Sequence, residues 1–149
     1  SEHIFQLDEG RGIFPAIPEE GRRFSRDEYV GIVADARDRS GLRVRLGLEV
    51  DFVPGTEVAV RGVLDGVSWD YLIGSIHQIG ELDIFEYTPS TPSECRDLWR
   101  LYYQLFIDAA SSGMFDILSH PARNSILNSY LPDDIGDLLG DVASVAAAN

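Results

Sequence analysis

The sequence predicts an α/β fold organised around a parallel sheet. Strand-like and helical segments alternate along the chain, the pattern that crossover-connected parallel strands leave. Two of the three histidines, His77 and His120, terminate predicted strands, and His3 would terminate another if a strand leads into it. The helices also carry recognisable start and stop residues.

The first segment, 4–24, contains Gly10, Gly12, Pro15, Pro18 and Gly21 and has no clear period. It reads as a long loop of the kind that lies over a binding site. Ser25 with Glu28 forms a capping box ahead of a helix carrying Tyr29, Ile32, Val33 and Ala36 at helical spacing, and Gly41 is a plausible stop. A strand is expected over 42–52, a short helix over 57–64 and a second strand over 69–76. Thr91 as cap, Pro92 in the first turn and Glu94 open a long helix reaching about Ser111. Its stripe of Leu98, Leu101, Tyr102, Leu105 and Ala109 is widened by Trp99, Tyr103 and Phe106, so the helix is expected to be buried on more than one side. A strand over 115–119 follows. The last helix starts near Asp133, with Ile135, Leu138, Leu139, Val142, Ala143 and Ala146 on one face.

A chain of 149 residues with 44% hydrophobic and 25% charged residues fits one ordinary globular domain. No apolar run approaches the ~18 residues of a membrane span, and no signal-peptide pattern opens the chain. The single Cys95 excludes an internal disulfide and makes a reducing cytoplasm the default. A net charge of −13 argues against nucleic-acid binding through a basic face. A small anionic substrate remains compatible, because bound metal ions reverse the sign of a local site. The chain begins at Ser1, has Met114 as its one methionine and stops at Asn149 after a helix-like run, so both ends read as cut from something larger.

The strand ends carry the chemistry. In parallel α/β sheets and barrels the C-terminal strand ends form one face, where sites are assembled. His3, His77 and His120 belong to that face, and Glu49 lies late in its strand, pointing to the same end. Imidazoles with a carboxylate suit divalent zinc, iron or manganese. A lone histidine at a strand end is ordinarily a hydrogen-bonded structural residue, and a lone glutamate a solvated one. The shared placement of all the histidines singles these out. Asp51, Asp70 and Asp116 lie near the same strand ends and read as caps or supports for the ligands. Cys95, in the first turn of a helix, reads as a quiet thiol, and Trp99, Tyr102 and Tyr103 as core.

Four blocks also resemble a known family. Ser-Glu-His at 1–3, Gly-Leu-Glu-Val-Asp-Phe at 47–52, Asp-Tyr-Leu-Ile-Gly-Ser-Ile-His at 70–77 and Phe-Asp-Ile-Leu-Ser-His-Pro at 115–121 resemble the PHP (polymerase and histidinol phosphatase) superfamily. Their order and spacing, with Tyr102 and Tyr103 between them, are most similar to the histidinol-phosphatase branch, over nearly the whole chain. The resemblance implies a distorted, TIM-like (β/α) barrel of seven strands with two to three divalent ions, zinc, manganese or iron, at its C-terminal face. It implies that His3, Glu49, His77 and His120 are metal ligands, with Glu49 bridging. It also implies hydrolysis of a small phosphate monoester, histidinol phosphate first among them, by a metal-held hydroxide. His120 could instead serve as an acid in place of ligation. Arg123, three residues on, is a candidate phosphate clamp set against an ordinary surface arginine. Arg11, Arg22 and Arg23 in the long loop could also reach a substrate, and none of them is preferred.

The chain departs from the family pattern at its ends. The opening His-x-His, a further early histidine and the closing Asp-x-His are not in these residues. The units present are too few to close a seven-stranded barrel, and unclosed edges are an aggregation liability. Residues 1–149 are therefore expected to form a single partial barrel domain without its first and last strands. Two functions follow: a histidinol-phosphatase-like hydrolase in the parent protein, or a non-catalytic, truncated or degenerate metal-binding or interaction module. Reading-frame extensions carrying the flanking ligand pairs would select the first.

Overall fold

A computed structural model of the chain describes residues 1–14, 24–84, 88–123 and 130–149. In chain order the regular elements are β1 (Glu2–His3), α1 (Arg26–Ser40), β2 (Gly47–Asp51), α2 (Glu57–Leu64), β3 (Tyr71–Ser75), β4 (Gln78–Ile79), β5 (Leu82–Asp83), α3 (Pro92–Ser111), β6 (Ile117–Leu118) and α4 (Ile135–Ala148). Two 3-10 turns, Ile4–Gln6 and Asp8–Gly10, follow β1. Strands β1, β2, β3 and β6 make one four-stranded sheet in that spatial order, and every pairing is parallel. The predicted α/β class with a parallel sheet is what forms. The sheet is open among the described residues, so the closed barrel is not seen.

Alternation along β2 explains how the sheet divides its work. Leu48 and Val50 are fully buried on one face, in a cluster with Ile4, Leu7, Tyr29, Val60 and Val63. Glu49 and Asp51, one residue out of phase, point to the other face. Gly47 shares that second face, and a Cβ there would stand 2.2 Å from the Tyr71 ring, so a side chain is sterically excluded. A second cluster joins Phe52 and Ile76 to Trp99, Tyr102, Tyr103 and Phe106 of α3 and Val142 of α4.

Capping residues set the helix ends as expected. The Ser25 hydroxyl accepts from the Glu28 amide while Glu28 accepts from the Ser25 amide, and Gly41 closes α1 in the left-handed conformation at φ 64°. Thr91 caps α3 by accepting from the Glu94 amide. The buried faces differ from the expected stripes. On α1 only Tyr29 is buried, and Ile32 is 55% exposed. The helix is held instead by polar anchors. Tyr29 donates to the Gly47 carbonyl at 2.7 Å, Arg26 donates to the Val63 and Asp65 carbonyls at the end of α2, and Arg37 donates to Val44 and Asp70. On α3 the buried face runs through Cys95, Trp99, Tyr102, Tyr103, Phe106, Ala109 and Ala110, leaving Leu101 52% exposed. The aromatic residues define the core there, and the leucines flank it.

The segment expected to lie over the site behaves otherwise in its described part. Ile4, Leu7 and Phe14 are buried in the first cluster, and Leu7 bridges to Phe24. Residues 15–23, including Arg22 and Arg23, lie outside the described residues. The regular strands are shorter than predicted, because residues 42–46 and 69–70 lead into β2 and β3 without strand pairing of their own. No helix among the described residues is long and apolar enough to cross a membrane.

Candidate metal centre

Parallel register assembles the site. His3 ends β1 opposite Glu49 of β2. Asp51, two residues beyond Glu49 and on the same face, pairs with Ser75 at the end of β3. The chain continues two residues to His77. Strand β6 runs beside β3, with Ile73 opposite Ile117 and Gly74 opposite Leu118, and the chain continues to His120. Four separate segments thus deliver a side chain each to one end of the sheet.

They converge on one carboxylate oxygen. Glu49 Oε1 stands 3.6 Å from His3 Nδ1, 3.6 Å from His77 Nε2 and 3.3 Å from His120 Nε2. The Ser75 hydroxyl donates to the same oxygen at 2.6 Å, and Ser119 lies 2.7 Å from Ser75. The rings neighbour one another, with centroids 5.3 Å apart for His3 and His77 and 5.1 Å for His77 and His120. Asp51, almost fully buried, holds His77 Nδ1 at 2.5 Å through Oδ1.

These distances fit ligands of bound cations. Nitrogen and oxygen ligands about 2.1 Å from a tetrahedral ion stand about 3.4 Å apart, and the two 3.6 Å separations are too long for good hydrogen bonds. His3 Nδ1, His120 Nδ1 and Asp51 Oδ2 are buried without a hydrogen-bond partner. Orphaned buried donors and acceptors are rare in folded proteins and call for an explanation such as an ion. Among the described residues, two ligand groups satisfy the spacing of a metal site: Glu49 with His77 and His120, and Asp51 with His3 and His77.

Electrostatics agree with that chemistry. Burial alone would raise the Glu49 carboxyl, but hydrogen bonds from His120 and Ser75 and the nearby His3 and His77 rings outweigh it and lower the group from 4.5 to about 2. Burial lowers the His3 imidazole below its ordinary value, against the opposing pull of Glu49 and Asp51. An ionised carboxylate beside a neutral ring is the state in which both donate to a cation.

The backbone at His120 is unusual. It has φ 32°, in the left-handed region that non-glycine residues rarely occupy. Such a conformation costs roughly 1 kcal/mol or more and persists where surroundings hold it. Here the His120 carbonyl accepts from the Tyr102 hydroxyl at 3.1 Å and from the Arg123 amide at 2.9 Å. Tyr102→Phe should therefore lower stability by about 1 kcal/mol, read as a shifted urea midpoint at constant slope. An unchanged midpoint would show that the hydroxyl does not hold His120.

Other candidate residues fall elsewhere. Asp70 and Asp116 precede β3 and β6, at the N-terminal ends of the strands, and so face away from the site. They act as caps, as expected, but at the strand entries and not at the C-terminal ends. Asp70 accepts from the Leu46 amide and Arg37, and Asp116 accepts from the Leu72 amide, so both pin strand entries. Cys95 is buried, and burial raises its thiol. Arg123 is exposed in the turn that begins at His120, and Arg11 is exposed in the turn after Gly10. Sequence reasoning did not identify Ser75, Ser119, the Tyr102 hydroxyl or the β4–β5 hairpin as supports. The hairpin's one local sign is Gly80, at φ 62°, and it returns the Ile84 amide to the His77 carbonyl at 3.0 Å.

No family model matches this chain. The chain is 48% identical over 98 residues to a probable histidinol-phosphatase of Deinococcus radiodurans, an alignment covering 62% of this chain. The chain spans 38% of the length of that relative. A parallel α/β sheet with histidines and a carboxylate gathered at one end is thus similar, over most of its sequence, to part of a protein named as a phosphatase.

Proposed function

We propose that residues 1–149 are a partial barrel domain holding divalent ions in a phosphoric monoester hydrolase, with histidinol phosphate as the leading substrate. The observation that carries the proposal is the convergence of three imidazoles on Glu49 Oε1 beside orphaned buried nitrogens. The similarity to a probable histidinol-phosphatase supports the reaction class.

In this reading His3, Glu49, His77 and His120 are the protein ligands, and zinc, manganese or iron, two to three ions in the complete protein, is the metal. Such ions would offset phosphoryl charge and lower the pKa of a water molecule. The chain's own residues supply the rest. Glu49 brings a negative charge among three imidazoles, and Ser75 fixes its orientation by donating to Oε1. His120, held at its carbonyl by Tyr102, is placed to ligate or to protonate the departing alkoxide. Arg123, in the same turn, is assigned to the phosphoryl oxygens by the planar fork of its guanidinium.

The test is a phosphatase screen of the full-length protein with added manganese or zinc, across small phosphate monoesters including histidinol phosphate. Metal-dependent release of phosphate, abolished by chelation, is the expected result. Absence of tightly bound transition metal together with no monoester hydrolysis would favour the second reading, a non-catalytic metal-binding or interaction module.

A further inference from the structure

We infer that Asp51 is a positioning residue for His77, fixing the ring so that Nε2 is its metal-facing nitrogen; this rests on reading His77 as a ligand. Asp51 is 1% exposed, and its Oδ1 lies 2.5 Å from His77 Nδ1. An ionised carboxylate only accepts hydrogen bonds, so Nδ1 must carry the proton. In that tautomer the lone pair is on Nε2, the atom that faces Glu49 Oε1 at 3.6 Å.

The fold builds this contact deliberately into the sheet. Glu49 and Asp51 are two residues apart on one face of β2, and Asp51 is in register with Ser75, two residues before His77. The hairpin fixes the other end of the residue, since the Ile84 amide donates to the His77 carbonyl. Ring and backbone are thereby held from different elements. The Nδ1 atoms of His3 and His120 have no hydrogen-bond partner, so His77 is the one of the three rings whose Nδ1 a carboxylate orients. A carboxylate behind a ligating imidazole fixes its tautomer and raises its basicity, and removing such a partner weakens metal binding about 10- to 100-fold.

The experiment is histidine-nitrogen NMR on the full chain without metal, at alkaline pH, paired with zinc titration calorimetry. Wild-type protein should show His77 protonated on Nδ1. Asp51→Asn should move the proton toward Nε2 and weaken zinc binding about 10- to 100-fold, and Asp51→Glu should recover part of both. His77 protonated on Nε2 in wild type would overturn the inference. The wild-type spectrum decides this even where the asparagine variant does not fold. Wild-type protein that binds no zinc, with the tautomer responding as expected, would support the Asp51–His77 coupling and overturn the metal reading instead.

Discussion

Glu49→Gln is expected to weaken divalent-metal binding by more than about 100-fold, beyond what loss of a supporting partner causes, while leaving the fold in place. Glutamine keeps the length of the side chain, and its carbonyl can still accept from Ser75, so the hydroxyl pair with Ser119 stays satisfied. The change is in charge. The carboxyl, lowered to about 2, is ionised throughout the neutral range, so the substitution removes a full negative charge from among three rings. Because the carboxyl is lowered from 4.5 to about 2, its ionised form stabilises the fold, so metal-free stability should fall at neutral pH without unfolding the domain. Elemental analysis and calorimetry read the metal, and circular dichroism melting reads the fold. Undiminished affinity would remove Glu49 from the site. A collapsed melt would show that the carboxylate is a structural hub.

How much of this was legible in the sequence depends on the range of each interaction. The caps at Ser25 and Thr91 were readable because donor and acceptor sit three residues apart. The strand-ending histidines were readable because an apolar run announces the strand and the histidine follows it directly. The predicted helix over 57–64 coincides with α2. Which helical face meets the core was less readable, because Ile32 and Val33 are adjacent on α1 and only the anchors of Tyr29, Arg26 and Arg37 settle its rotation. Asp70 and Asp116 illustrate a second limit. The sequence marks a strand's neighbourhood but not its first paired residue, so a carboxylate at its entry looks like one near its exit. The supports were least readable. Ser75 meets Glu49 across 26 positions and Ser119 across 44, and no local pattern encodes such partners. Asp51 was suspected as a support, but its pairing with His77 had to come from the register of β2 against β3.

Trp99→Ala is expected to lower stability by about 3–5 kcal/mol, the range for truncating a large buried aromatic. Trp99 is fully buried, with its ring stacked on Tyr103 at 5.6 Å and edge-on to Tyr102 at 5.9 Å. Its removal opens a cavity at the centre of the α3 core, which packs against Leu118 of β6. A small domain holds only about 5–15 kcal/mol in total, so the variant should sit near unfolding. Trp99→Phe separates the causes. The indole Nε1 is buried without a hydrogen-bond partner, so phenylalanine loses volume but also removes an unsatisfied donor that costs about 1–3 kcal/mol. The phenylalanine variant should therefore be much closer to wild type in urea midpoint at constant slope. The site should follow the core, because Tyr102 is both a neighbour of Trp99 and the donor to the His120 carbonyl. Where Trp99→Ala still folds, it should bind metal more weakly than Trp99→Phe, although neither variant alters a ligand. Equal stability of the alanine and phenylalanine variants would mean that α3 does not pack through Trp99.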